Sequence, residues 1–337
     1  MTNLSKIKNR KRLNLSANLT LLLKILNPIT DFLFRTSRKI MPQNRLGDKI
    51  VSYINFLMNN NRLPKKQLNL NDVLYSIKTT DEILDPLRVF VSDKEFLKLF
   101  VSASLGDQYN VPTLDVIRDI KALDTYAFPP TCCIKPTHAS GEVIIRRNNE
   151  PLDMERIKSW FKLNYYLVTR EANYKLLKPK IIVEPLIFQG ERIEDYKFLC
   201  YQGQPKLVWV DIDRYTQHKR KVFDCAWNEL NFSITKPRSE ASFKKPNNFS
   251  RMLEVASNLA SQFSFVRIDL YSDGNTILVG EITNCSGNAG ERFLPAESEP
   301  EASKILFDVD SYQPIANAPT RSFNSAAKHA RLHQYQL

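Results

Sequence analysis

The chain has 337 residues, 43% hydrophobic and 25% charged, with a formal net charge of +12. Those proportions belong to a folded, water-facing protein with a substantial core, they exclude a disordered chain, and the length allows two or three lobes. The basic excess is local: residues 1–45 hold ten Lys/Arg and the single acid Asp31, which leaves the remaining body close to neutral.

Within the arm, Leu13 to Leu33 interleaves charge with Leu15, Leu19, Leu22, Leu23, Ile25, Leu26, Ile29 and Phe32. It lacks the stacking aromatics of single-strand binders, so no nucleic-acid partner is expected. A basic, Leu-rich amphipathic segment suits an anionic membrane surface. A helix packed on the body with its Lys/Arg in water satisfies the same pattern. Lys24, Pro28 and Asp31 exclude a membrane span, and no clean small-residue cleavage site marks a signal peptide.

Residues 46–125 read mainly as helix, with helical spacing from Lys49 to Met58 and a second stretch opened by Asp93-Lys94 through Leu105. Tyr126 to Pro130 is a connector. Strand patterns follow at Thr131–Lys135, Glu142–Arg146, Ile181–Glu184, Tyr196–Tyr201 and Lys206–Asp213, with a helix from Asp153 to Leu163 between them. A further helix covers Asn247 to Phe263. Beyond Pro300 the chain turns Ser/Ala/Asn/Pro-rich and is expected to fray. The expected division is an arm (1–45), a helical region (46–125), a first lobe (126–187), a second lobe (188–300) and a flexible tail (301–337).

The five cysteines are odd in number without CxxC spacing, and the four histidines are scattered, which argues against zinc and against a thiol nucleophile. This usage suits a reducing cytoplasm.

The densest chemistry lies in Phe265–Gly290. Apolar Val266, Ile268 and Leu270 alternate with Arg267, Asp269 and Tyr271, Asp273-Gly274-Asn275 marks a turn, and Ile277–Ile282 returns. A two-residue loop would place Asp269 and Glu281 on opposite faces. A three-residue loop sets Arg267 opposite Glu281 and Asp269 diagonal to it. In that register the two acids can share hard cations beside phosphate. An ordinary surface hairpin with an Arg–Glu pair fits the same residues.

Cys133 to Val143 is strand–loop–strand. Lys135 ends an apolar strand, and small Ala139-Ser140-Gly141 can close backbone N–H groups over an anion. It is not a Walker A loop. Ile181–Glu184 runs into Pro185, which frees backbone groups of the kind an adenine edge pairs with. Lys197 shares a strand face with Leu199 and Tyr201, beside Asp195.

The order of Lys135 with its glycine loop, the Glu184 strand end, Asp195-Tyr196-Lys197, Arg267-x-Asp269 and Glu281-x-Thr283-Asn284 resembles the ATP-grasp superfamily. The segments CIKPTHASGEVII, DYKFLCYQGQPKLV and FVRIDLYSDGNTILVGEIT resemble its TupA-like branch, associated with teichuronopeptide and other cell-surface polysaccharide synthesis. The resemblance implies an α+β fold whose two lobes clasp ATP, preceded by a mainly helical region. It implies that Lys135 contacts ATP phosphates under the loop carrying Thr137, His138, Ser140 and Gly141. Glu184 and Leu186 would lie at the adenine hinge, with Lys197 also toward nucleotide. Asp269 and Glu281 would bind Mg2+, and Arg267 would hold phosphate or acyl-phosphate beside Lys135. Lys94 resembles an early lysine of the superfamily. Thr283 stands where an asparagine is usual.

The implied reaction is ATP-driven activation of a carboxylate as acyl-phosphate and its joining to an amine on a glycan precursor. The alternatives are a kinase acting on a glycan or small molecule, and a catalytically silent nucleotide-binding component of a polysaccharide-assembly complex. The expected location is cytoplasmic, with peripheral attachment at the inner membrane face through residues 1–45.

Overall fold

The computed structural model describes residues 27–188, 194–212 and 218–308, with backbone only for 27–33. The first 26 residues of the arm and residues 309–337 of the expected tail lie outside that set.

Helices come first. Helix α1 (Asn27–Ile40) leads into α2 (Arg45–Asn60), capped by the Asn44 side chain on the Gly47 N–H. Helix α3 (Leu70–Thr79), a short α4 (Pro86–Val91) and α5 (Lys94–Leu105) follow. Asp93 caps α5 by accepting from the N–H groups of Glu95 and Phe96, which sets the start of that helix beside the first lobe. The described part of the arm packs on the body. Arg38 donates to the Val168 carbonyl at 2.7 Å, and buried Arg170 donates to the Met41 and Pro42 carbonyls at 2.5 and 3.1 Å.

The first lobe holds an antiparallel sheet of four strands in the order β1 (Asp115–Ile117), β4 (Ile181–Glu184), β2 (Cys132–Pro136) and β3 (Ile144–Arg146). Its core gathers Ile117, Ile134, Ile181 and Val183 against Ile157 and Trp160, which follow from the helix α6 (Met154–Ser159). The helix expected over Asp153–Leu163 is therefore α6 plus one tighter turn at Trp160–Lys162. Helix α7 (Tyr165–Thr169) closes the lobe.

The second lobe is a five-stranded antiparallel sheet ordered β10 (Ile277–Thr283), β9 (Phe265–Ser272), β5 (Glu194–Tyr201), β6 (Gln204–Ile212) and β7 (Lys219–Asp224), while the short β8 (Ser233–Ile234) pairs separately with β11 (Phe293–Leu294). Strand alternation splits it into two faces. Tyr196, Phe198, Val208, Val210, Val266 and Ile268 pack beneath α5 and α8 (Phe249–Ala260), where Met252, Val255 and Leu259 form the other half of that core. On the opposite face, Leu199, Leu207, Val222 and Phe265 are covered by Leu70, Leu74 and Ile77 of α3 and by α9 (Glu299–Phe307). Elsewhere the same face carries charged side chains, Asp195, Lys197, Asp211, Asp269 and Glu281, of which all but Glu281 are buried.

Two differences from the sequence reading have clear causes. Strand β7 has no counterpart in the sequence reading because Lys219, Arg220 and Lys221 break any apolar alternation, whereas in the fold Arg220 is neutralised by Asp211 across the sheet and Lys221 by Glu229. The expected tail begins with a packed helix. Ala302, Leu306 and Phe307 of α9 are buried, so residues 301–307 belong to the core.

A candidate nucleotide and metal site between two sheets

The β9–β10 hairpin decides how the acids are displayed. Ser272 pairs with Ile277, so the connection is four residues long, Asp273–Thr276. Continued regularly, that register would set Asp269 opposite Gly280 and turn Glu281 to the helix-covered face. A β-bulge between Val279 and Glu281 restores the phase, and Glu281 lies directly across from Asp269. The three-residue register is thus corrected: Arg267 sits opposite Thr283, and Asp269 and Glu281 are a direct pair rather than a diagonal one. Glycine occupies the bulge because a Cβ on residue 280 would lie 2.7 Å from Cε2 of the Tyr271 ring.

Asp269 is the most strongly held acid here. Arg267 donates to it through Nε at 2.7 Å and Nη2 at 2.8 Å, and Lys197, its neighbour on β5, donates at 2.7 Å. Burial alone would raise its pKa, but Arg267 and Lys197 outweigh burial and hold it at about 2. Burial works against the Arg267 charge too, yet Asp269 and then Glu281 leave it above the ordinary arginine value. Arg267 also donates to Thr283 Oγ1 at 3.0 Å and Ser286 Oγ at 2.8 Å, with its guanidinium 5.8 Å from the Trp209 ring centroid. Lys197 is shared with Asp195 at 2.5 Å. Glu281 is looser: its contact with Arg267 is 3.9 Å and its side chain keeps 26% exposure. It is the acid with oxygens to offer.

Lysines from the first lobe and from α5 face this pair. Lys135 reaches Glu184 Oε2 at 2.5 Å and Lys98 of α5 reaches Glu184 Oε1 at 2.6 Å. Burial would raise the Glu184 pKa, but the two ammonium groups pull it below the ordinary value. Burial opposes the Lys135 charge as well, and Glu184 chiefly, with Glu281 contributing, keeps its pKa above normal. Lys94 donates to the Ala139 carbonyl; burial lowers its pKa, and the nearby Glu281 partly counters that. Lys94 and Lys135 thus both lie within electrostatic reach of Glu281.

The β2–β3 connection is tied down at its start. Thr137 donates to Asp93 Oδ2 at 3.0 Å and to the Lys180 carbonyl at 2.9 Å through its N–H, and accepts the Lys94 N–H at 3.0 Å. His138 is buried with Nε2 3.2 Å from the Leu163 carbonyl, so its ring anchors the loop to α6 and its extension. Gly141 has φ +85°, a conformation glycine adopts without strain. Leu186 lies half-buried just past the end of β4.

The profile of the TupA-like ATPgrasp family matches residues 74–303. The chain belongs to that family. The ATP-grasp fold is accordingly the α+β arrangement described above, with the helical region in front of the sheets. No curated protein matches the chain. Among solved structures it is similar to the D-alanine–D-alanine ligase of Helicobacter pylori (17% identity, covering 70% of this chain and 61% of that one, TM-score 0.36). It is also similar to the ATP-grasp ligase PsnB complexed with minimal precursor, Mg and ADP (12%, 65% and 61%, 0.34). A third similarity is to the L-amino acid ligase of Bacillus licheniformis (15%, 66% and 51%, 0.38). The chain spans less than two thirds of the length of each.

Within this candidate site, Asn284 does not substitute for Thr283. Its amide faces the helices, donating to the Arg88 carbonyl at 3.0 Å and Ser92 Oγ at 3.1 Å. Among the described residues no group of three or more His, Cys, Asp and Glu could hold a metal unaided. Magnesium needs less protein than that, because one or two carboxylates suffice when waters and substrate phosphates complete the shell. The Asp269–Glu281 pair fits such an ion arriving with a nucleotide.

The sequence reading missed Lys98, Glu171, Tyr165, Tyr174 and Lys78. They lie on helices or in the 169–174 loop, where helical spacing buries lysine as readily as it exposes it. Glu171 carried no motif at all.

Proposed function

We propose that this chain is an ATP- and Mg2+-dependent ligase that activates a carboxylate as acyl-phosphate and joins it to an amine. The carrying observation is the in-register Asp269–Glu281 pair, flanked by Arg267 and Lys197, with Lys135 and Lys94 within electrostatic reach of Glu281. Membership of an ATP-grasp family supports the nucleotide.

In this reading Asp269 and Glu281 hold Mg2+, which supplies charge neutralisation on the transferring phosphoryl group. Lys135, Lys94 and the backbone from Thr137 to Gly141, with Ser140, bind the nucleotide phosphates. His138 holds that loop through Leu163. Glu184 keeps Lys135 aimed into the cleft, and Leu186 with the end of β4 takes the adenine edge. Lys197 fixes Asp269 and offers a second positive charge. Arg267, braced by Asp269, Thr283 and Ser286, stabilises the negative charge that develops on the acyl-phosphate. No protein nucleophile is required.

The substrate class we propose is a carboxylate such as an amino acid or uronic acid and an amine on a cell-surface polysaccharide precursor, in the cytoplasm. No described helix is long and apolar enough to cross a membrane. For residues 1–45 we propose attachment to anionic lipid; Ile40, 67% exposed, directly follows the basic Arg38 and Lys39, which supports it.

The test is to incubate the chain with Mg·ATP, pooled amino and uronic acids, and amines, and follow ADP and phosphate. A ligase releases free phosphate. Phosphate retained on product identifies a kinase, and no ADP identifies a silent component; either result overturns the proposal.

A further inference from the structure

Nine Asp and Glu side chains are buried among the described residues. Eight are satisfied by hydrogen bonds or ion pairs, as Asp48 is by Arg170 at 3.0 Å and Tyr166 at 2.7 Å, and Asp72 by Arg62 and Asn69. Glu171 is the exception. It is 5% exposed, and among the described residues its carboxyl makes no hydrogen bond and no ion pair. A buried carboxylate left without a contact partner is strongly unfavourable, and a purely structural one would be expected to have acquired a donor.

The surrounding backbone is fixed, so the side chain is displayed deliberately. Arg170, at φ +56°, is pinned by Asp48 and the Met41 and Pro42 carbonyls. The Glu171 N–H donates to Thr169 Oγ1 at 3.2 Å and its carbonyl accepts the Tyr174 N–H at 3.2 Å. Asn173 donates to Ser92 Oγ at 2.8 Å, the same hydroxyl that accepts from Asn284 at the end of β10. The loop is thereby stitched beside the Thr283 end of the metal-bearing strand. Lys78 lies within electrostatic reach, but its ammonium is taken by the Thr169 carbonyl at 2.8 Å and by Asn288.

Next to Glu171 stand Tyr165 and Tyr174, their rings edge to face with centroids 4.8 Å apart. Both interact electrostatically with Glu171 and Glu281; Tyr174 also feels Arg267, and Tyr165 feels Ser140 of the β2–β3 loop. The ring pair therefore lies within electrostatic reach of both Glu171 and Glu281, and Tyr174 of Arg267 as well. Burial pushes the Glu171 carboxyl up to about 7, Lys78 opposing and Glu281 adding to the rise, as expected of a carboxyl whose counter-charge is missing.

We propose that Glu171 receives the ammonium group of the amine co-substrate, against the Tyr165–Tyr174 pair. This rests on the ligase reading above. The ligand class follows from the chemistry: Glu171 and Glu281 repel an anion, a neutral hydroxyl leaves the charge uncompensated, and the donor set is too small for a metal. An ammonium offers three donors to the carboxylate and gains from tyrosine ring faces.

The experiment compares the wild-type chain with Glu171→Gln, and with Glu171→Met as a second variant of similar size. Calorimetry measures Mg·ADP, then methylammonium, ethanolamine, L-alaninamide and glucosamine, each against its hydroxyl counterpart (methanol, ethylene glycol, lactamide, glucose), with Mg·ADP present. At least one amine is expected to bind the wild type in preference to its counterpart. That affinity is expected to fall about tenfold or more in a folded variant, the scale of one charge-assisted hydrogen bond, while ADP affinity stays within about twofold. Equal amine binding in wild type and variants, or no preference for any amine, overturns the assignment. Failure of ADP to bind the wild type sinks the nucleotide reading instead, and the amine series repeated without ADP still decides Glu171.

Discussion

Glu281 faces Asp269 across the β9–β10 ladder because Gly280 is an extra residue in β10. With the four-residue connection, a regular ladder would have turned Glu281 into the helix-covered core. The bulge therefore determines whether a two-carboxylate site exists.

Gly280→Val tests that dependence. A branched side chain favours regular pairing and meets the Tyr271 ring at the distance where something must shift. The expected cost is about 1–3 kcal/mol of stability, as for other overpacked sites, together with loss of Mg·ADP binding. Chemical denaturation and calorimetry on the same preparation check it. Unchanged nucleotide binding would show that the bulge is dispensable.

Asp269 and Glu281 are predicted to respond differently to neutralisation. Asp269→Asn leaves Arg267 and Lys197 buried beside an uncharged amide, and should cost about 3–5 kcal/mol of folding stability. Glu281→Gln removes only a 3.9 Å contact from a partly exposed group and should leave the melting temperature nearly unchanged. Its effect belongs to the chemistry: ATP turnover should fall by a factor of about 100 or more, the scale of lost transition-state charge stabilisation. Thermal unfolding of both variants beside an ADP-release assay separates the two roles.

Glu171 gives stability a pH signature. Its carboxyl stands at about 7 in the fold against an ordinary 4.5. Below 4.5 both states are protonated. Between 4.5 and 7 the unfolded chain loses the proton while the folded chain keeps it, so folding stability falls as pH rises, by up to about 3 kcal/mol, and is level above 7. The groups acting on Glu171 are Lys78, Glu281, Cys285, Tyr165 and Tyr174. Glu171→Gln lacks this loss, so its stability relative to wild type should climb from pH 4.5 to 7.5. Parallel denaturation curves for the two proteins at both pH values would contradict it.

The arm is predicted to bind anionic lipid. The full chain should co-sediment with vesicles containing phosphatidylglycerol and much less with pure phosphatidylcholine, the difference shrinking in high salt. Removing residues 1–26, which precede the packed part of the arm, should abolish the difference. Equal sedimentation with and without them assigns lipid binding elsewhere.

Much of this was legible in the sequence because period-2 alternation is unambiguous where one face is buried. Phe265–Ser272, Cys132–Pro136 and the Tyr196–Tyr201 part of β5 could be placed from their apolar residues, and Lys135, Lys197, Arg267 and Asp269 came with them. The register of the hairpin was not, since it depends on one unpaired residue. An isolated glycine inside a strand pattern is the one local sign of a bulge, and Gly280 carries it. Lys98 and Glu171 were hidden for another reason. Their role comes from long-range neighbours, Glu184 for Lys98 and the Asn284–Ser92–Asn173 stitching for Glu171, which no local pattern encodes.

The central claim is that Asp269 and Glu281 jointly hold Mg2+ against nucleotide phosphates that Lys135 also contacts. Calorimetric titration of ADP into the wild-type chain and into Glu281→Gln, each with and without Mg2+, tests it most directly. The account predicts that Mg2+ tightens ADP binding in the wild type by about tenfold or more and that this gain disappears in Glu281→Gln. ADP binding indifferent to Mg2+, or a gain that survives the substitution, would contradict it.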